Sequence, residues 1–198
     1  GLENICLAGG VALNCVANGK LLEKNTFRNI YIQPASGDAG GAIGAALGAY
    51  HLMLNQSRTV KAGDNMKGSY LGPDYTQDNI EDRLKTAGAV FTVTNEDDMI
   101  AQTAQALANG KAVGWHQGRM EFGPRALGSR SILADPRSAT VQKLLNLKVK
   151  YRESFRPFAP SVLSEKVSEW FDLNGDSPYM LLVADVHKNK QIAMSAEA

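Results

Sequence analysis

Two strand–glycine loop–helix units follow one another at the start of the chain, and this repeat limits the fold more than any other feature. The run ENICLA (residues 3–8) reads as a buried strand ending at Gly9-Gly10, ahead of a helix-like run, VALNCVANGKLLEK. NIYIQP (29–34) is a second strand, followed by the loop ASGDAGG and an Ala/Gly-rich helix, AIGAALGAYHLML. Strands alternating with helices predict an α/β fold. Each loop presents backbone N–H groups at a helix N-terminus, where phosphate is favoured. Neither loop matches G-x-G-x-x-G or the Walker pattern, which argues against a dinucleotide fold or a P-loop. The small residues of the Ala/Gly helix would equally serve close packing on a sheet with no ligand.

Periodicity is lost over NQSRTVKAGDNMKGSY (55–70), which reads as a linker or long excursion. A second α/β pattern follows. TQDNIEDRLKTAG predicts a helix ending in glycine, AVFTVT a strand, and DDMIAQTAQALAN (97–109) a helix with acidic residues in its first turn. KAVGWHQG and SRSILADP read as strands, SATVQKLLNLKV and VSEWFDL as helices, and YMLLVADV as a last strand. The expected division is therefore two domains, 1–57 and 58–198.

The chain has 198 residues, 44% hydrophobic and 21% charged, with a net charge of +1. That balance gives no global argument for nucleic acid or membrane, and no apolar run reaches the roughly 18–20 residues of a membrane span. Two cysteines, Cys6 and Cys15, read as small core residues of a reduced, cytoplasmic protein. The absence of an initiator Met suggests a piece of a longer polypeptide.

Charge is unevenly spread. Between Arg119 and Arg156 nine basic residues face three acids, and six of the nine arginines lie there. The window opens with GRMEFGPRALGSRS (118–131), in which arginine forks sit beside glycine-freed backbone, the chemistry of an anion cradle. Few aromatics accompany it, so a small phosphorylated ligand fits better than exposed bases. Arg119 and Glu121 could pair and only shape the loop, with Gly123 and Pro124 setting its turn. His51, His116 and His187 are scattered and form no local metal pair. Asp38 is either a helix N-cap or a metal or substrate contact. Asn14 is either an early helix residue or a polar contact to a nucleotide.

GGVALN, PASGDAGGAIGAA, GRMEFGPRALGSRSILADPR and KYRESFRPFAPSV, in this order and spacing, resemble the nodulation- and antibiotic-type O-carbamoyltransferase family. The first two motifs are also similar to the threonylcarbamoyl-transferase and sugar-kinase/actin group. The resemblance implies the end of an ASKHA (actin/kinase-like) domain followed by a YrdC-like α/β domain. It implies ATP-dependent activation of carbamoyl phosphate to a carbamoyl-adenylate, then transfer to the hydroxyl of a small-molecule acceptor. By the same resemblance Gly9, Gly10 and Asn14 fall on an adenylate-binding loop, joined by Arg119 as a cofactor contact. Asp38 falls on a ligand of a divalent metal, iron or magnesium, whose HxxxH motif belongs to a part of the polypeptide outside this chain. Arg125, Lys150 and Arg156 fall on the carbamoyl phosphate and ATP site. Two readings compete: a phosphate- or nucleotide-binding module without catalysis as isolated, and a sugar-kinase-like ATPase.

Overall fold

Four-residue strands and short helices make two compact units in a computed structural model that describes residues 1–173 and 175–192. The first unit contains Gly1–Ser69, Phe122–Arg125 and the segment from Ser161 on; the second contains Tyr70–Glu121 and Ala126–Pro160. Both mix helix and strand, as expected of an α/β chain.

In the first unit, β1 (Asn4–Leu7) pairs in parallel with β2 (Asn29–Ile32), in register Asn4↔Asn29 through Leu7↔Ile32. Parallel neighbours need a crossover. It is supplied by a 3₁₀ turn, Gly10–Leu13, and by α1 (Cys15–Glu23). Asn14 caps α1, its side-chain oxygen accepting from Ala17 N–H at 3.1 Å. Within α1, the buried Asn18 amide donates to the carbonyls of Ala12 (2.8 Å) and Leu181 (3.0 Å). Gly19 packs so closely that a Cβ would stand 2.5 Å from Val183 O. Ala12, Ala35, Met66 and Leu181 form the buried apolar centre.

After β2 comes α2 (Asp38–Gly48), extended by π-helical turns over Ala49–Met53. Its N-cap is Gly37, so Asp38 is the first helical residue and not the cap that Asp commonly provides there. Although apolar nearly all round, α2 buries none of its residues.

In the second unit, α3 (Gln77–Thr86) and α4 (Glu96–Ala108) start at Thr76 and Asn95, whose side chains accept from Asn79 and Asp98 N–H. Next, β3 (Val113–His116) pairs antiparallel with β4 (Arg130–Leu133), and α5 (Val141–Lys148) follows. The first unit closes with α6 (Val167–Trp170) and a single bridge, Phe171↔Val186.

Two expected strands do not form. AVFTVT has no ladder partner among the described residues, with Val90 fully exposed, and YMLLVADV contributes only the bridge at Val186. A strand is defined by its neighbour, and composition alone does not supply one. Among the described residues, no helix is long and apolar enough to cross a membrane.

Candidate functional site

Three loops of the first unit converge. Gly9, at φ 92°, turns the chain from β1 into the 3₁₀ turn, and a Cβ at Gly9 or Gly10 would meet nothing within 4 Å. The second loop, Ala35–Gly37, enters α2, and a Cβ on Gly37 would meet Leu13 Cδ1 at 3.7 Å. The third is Phe122–Arg125. Gly123 has φ 120°, a left-handed conformation that side chains rarely adopt, and lies against Ala35, 3.1 Å from where its Cβ would stand.

This third loop delivers Arg125. Its Nη2 donates to Leu13 O at 2.8 Å, while Nε is buried with no partner among the described residues. The hydroxyl of Ser36, a residue only 4% exposed, is likewise buried and unpartnered. A buried donor left unsatisfied costs roughly 1–3 kcal/mol. Ser36 stands just before the first turn of the eleven-residue α2 and Arg125 is fixed on Leu13 of the first loop, and both are donors suited to an anionic or oxygen-rich ligand. Thus Gly9, Gly10 and Arg125 share one part of the first unit. Asn14 is there too, but its carbonyl oxygen is used as a helix cap.

Asp38 is exposed, and no protein donor bonds its carboxylate among the described residues. Those residues hold no group of three or more His, Cys, Asp or Glu able to grip a metal ion. Asp38 is a single possible ligand, and the described residues do not by themselves make a metal site. The cysteines are unpaired, Cys6 exposed and Cys15 half-buried, so Cys6 is not the core residue its surroundings in sequence suggested.

Lys150 and Arg156 belong to the second unit. Lys150 N–H donates to Leu145 O at 2.9 Å, ending α5, and Arg156 Nε stands 2.9 Å from Glu153 Oε2. Arg156 is half-exposed, with its other guanidinium nitrogens free of protein acceptors among the described residues.

Several other basic residues of the window are already engaged. Arg119 does not pair with Glu121; its Nη1 donates to Gly72 O at 2.9 Å, and Nη2 lies 3.8 Å from Asp74. Arg137 chelates Asp135 at 2.6–3.0 Å, which holds that carboxyl down to about 2. Glu121 instead receives Arg130. The buried Glu121 carboxylate accepts from Leu127 N–H (2.7 Å), Ser129 N–H (2.8 Å) and Arg130 Nε (3.1 Å). Burial pushes its pKa up, but the amides of Leu127 and Ser129 and the guanidinium outweigh that and hold it at about 2.

A cavity of about 300 Å³ in the first unit is lined by Tyr31, Asp64, Met66, Tyr179 and Leu181, among others. Of its two acids, Asp64 and Asp176, the first is already engaged. Asp64 accepts from the Tyr179 hydroxyl and from the N–H groups of Met66 (2.9 Å) and Gly68 (2.7 Å), and its pKa is lowered, first by Tyr179.

Comparison with known proteins bears on this arrangement. The family model described as "Carbamoyltransferase N-terminus" matches residues 1–47, and "Carbamoyltransferase C-terminus" matches residues 104–197. An uncharacterized protein of Synechocystis sp. is 59% identical over 199 residues, covering 100% of this chain and 32% of the relative. Nodulation protein NolNO of Sinorhizobium fredii is 44% identical over 200 residues, covering 99% of this chain and 29% of its own length. A 3'-hydroxymethylcephem-O-carbamoyltransferase of Amycolatopsis lactamdurans is 33% identical over 185 residues, covering 92% and 32%. The chain spans about a third of the length of these relatives. With both halves of one family's model matched in order, this chain belongs to the carbamoyltransferases, a family of enzymes.

Proposed function

We propose that this chain is part of an O-carbamoyltransferase that activates carbamoyl phosphate with ATP and passes the carbamoyl group to an acceptor hydroxyl. The observation that carries the reading is Arg125, a guanidinium fixed by Leu13 O with a buried Nε that no protein group satisfies. The O-carbamoyltransferase name of the Amycolatopsis relative supports the chemistry, and the nodulation protein of Sinorhizobium fredii supports the family's breadth.

Water cleaves carbamoyl phosphate to carbamate and phosphate, and the carbamate oxygen attacks the α-phosphorus of ATP, displacing pyrophosphate and forming carbamoyl-adenylate. An acceptor hydroxyl then attacks the carbamoyl carbon. Phosphate, pyrophosphate and AMP are the co-products. Such a sequence asks the protein mainly for positioning and for neutralisation of phosphate charge. Arg125 supplies a fork for phosphate oxygens, Lys150 a compact point charge and Arg156 a second fork. Gly9 and Gly10, with no side chains, leave room for the adenylate at the start of the crossover. Arg119, whose Nη1 is held by Gly72 O, would be a further contact to the cofactor. Domain roles follow the resemblance: an ASKHA-like part over 1–57 and a YrdC-like part over 58–198. A divalent metal would take Asp38 together with ligands from elsewhere in the polypeptide.

The test is pyrophosphate release by the intact protein given ATP, carbamoyl phosphate and candidate hydroxyl acceptors. Carbamoyl phosphate-dependent release of pyrophosphate is expected. Binding of ATP or carbamoyl phosphate without it would leave a nucleotide-binding module, and ADP as the product would mark a kinase-like ATPase.

A further inference from the structure

Asn146 is the largest fully buried side chain among the described residues, with no exposed surface, and it stands in the last turn of α5. An apolar residue would fill such a helix position without the cost of burying an amide. Its polar atoms have one destination. Asn146 Nδ2 donates to the carbonyls of Ser154 (3.0 Å) and Arg156 (2.8 Å), and Oδ1 accepts from Arg152 Nε at 2.6 Å. Its backbone carbonyl takes Arg152 N–H at 3.0 Å.

Its neighbours repeat the pattern. One turn earlier, Gln142 Nε2 donates to the carbonyls of Phe155 (3.3 Å) and Arg156 (3.1 Å). The chain needs this hold, because Tyr151 sits at φ 49°, a left-handed conformation that a bulky residue rarely accepts unaided. The Arg152 guanidinium lies over the Phe158 ring, 4.9 Å from its centre, closing the far side of the loop.

We infer that Asn146, assisted by Gln142, is the positioning residue for the loop 150–156 and so for the guanidinium of Arg156. This rests on the reading that Lys150 and Arg156 hold the phosphate of carbamoyl phosphate. Asn146 itself touches no substrate. It fixes the carbonyl of Arg156, and with it the point from which that side chain reaches out. Misplacing a phosphate-binding group by an ångström costs up to about 100-fold.

The test is steady-state kinetics of the intact protein with carbamoyl phosphate varied, alongside its melting temperature. Asn146→Asp keeps the shape and the acceptor for Arg152 but removes both N–H donors. Gln142→Ala removes only exposed bonds and is expected to melt like the parent. Asn146→Asp should raise the KM for carbamoyl phosphate about 10-fold or more, and Gln142→Ala about 3-fold. Combining Gln142→Ala with Arg156→Ala should add nothing to the loss from Arg156→Ala, since one acts through the other. If Arg156→Ala raises KM while folded Asn146→Asp and Gln142→Ala leave it unchanged, the positioning role is overturned and the phosphate site stands. If neither Lys150→Ala nor Arg156→Ala changes KM, the phosphate site is wrong and the positioning role falls with it. Should Asn146→Asp fail to fold, the Gln142/Arg156 cycle decides, additive losses overturning the proposal.

Discussion

Glu121 and Arg130 bind each other twice. Arg130 Nε donates to Glu121 Oε2 at 3.1 Å, and Arg130 Nη2 donates to the Glu121 backbone carbonyl at 3.0 Å. With Leu127 and Ser129 N–H on the same carboxylate, the pair ties position 121 to positions 127–130. The residues between them include Gly123 and Arg125, so the clasp pins the stem of the arginine loop.

The clasp has a pH signature. The Glu121 carboxyl is depressed from its ordinary 4.5 to about 2, so the stability it contributes is complete above about 4.5. That stability is lost as pH falls through 4.5 towards 2. Denaturant midpoints measured across this range should fall less steeply in Glu121→Gln than in the parent. Glu121→Ala should cost about 2–4 kcal/mol at pH 7, because the N–H groups of Leu127, Ser129 and Arg130 and the Arg130 guanidinium lose a buried acceptor. Parallel curves for parent and Glu121→Gln would show that the clasp does not form.

Arg125 and Arg137 are a matched pair of probes. Arg137 is 77% exposed and committed to Asp135, whereas Arg125 holds a buried, unpaired Nε. Removing a charge-assisted contact costs roughly 1.5–3 kcal/mol, about 10- to 150-fold. Arg125→Ala in the intact protein should weaken carbamoyl phosphate use by that factor, and Arg137→Ala by less than about 3-fold. Equal small effects would mark a generic basic surface.

Gly123→Ala separates charge from backbone. It keeps every arginine but forces a side chain to φ 120° and against Ala35. Strain of this kind costs about 1–3 kcal/mol. The melting temperature should drop, and turnover should fall together with it, since the neighbouring Arg125 is displaced. Full activity in a folded Gly123→Ala protein would show that the loop conformation is not needed.

Asp38 is tested by metal content. If the proposed metal is held there, elemental analysis of the intact protein should find less bound iron or magnesium in Asp38→Ala than in the parent. As a first-turn helix acid alone, Asp38 would be worth only about 0.3–1 kcal/mol of stability, and metal content would not change.

What was legible in the sequence was local. The β1–α1–β2–α2 order shows in the period of its apolar residues and in glycines placed where strands end. The helices α3 and α4 announce themselves by Thr76 and Asn95 in front and glycine behind. The failures required a partner. AVFTVT has the composition of a strand but no neighbouring backbone, and Glu121 could not be assigned to Arg130 rather than Arg119 because the loop between them carries no period. The density of arginines between residues 119 and 156 did not reveal how many are already paired: Asp74, Glu121, Asp135 and Glu153 hold four of the six. Asn146 gave no signal at all: a polar residue in the last turn of a helix usually faces water.

The Asn18 amide joins Ala12 O to Leu181 O, across 163 residues of sequence. A ribosome adding about 5–20 residues per second adds Leu181 roughly 8–33 seconds after it adds Asn18. Throughout that interval the first crossover waits for the strand of chain that completes its packing, its buried centre open to water. The packing of the first crossover is therefore completed late, by a segment that leaves the ribosome long after β1 and α1.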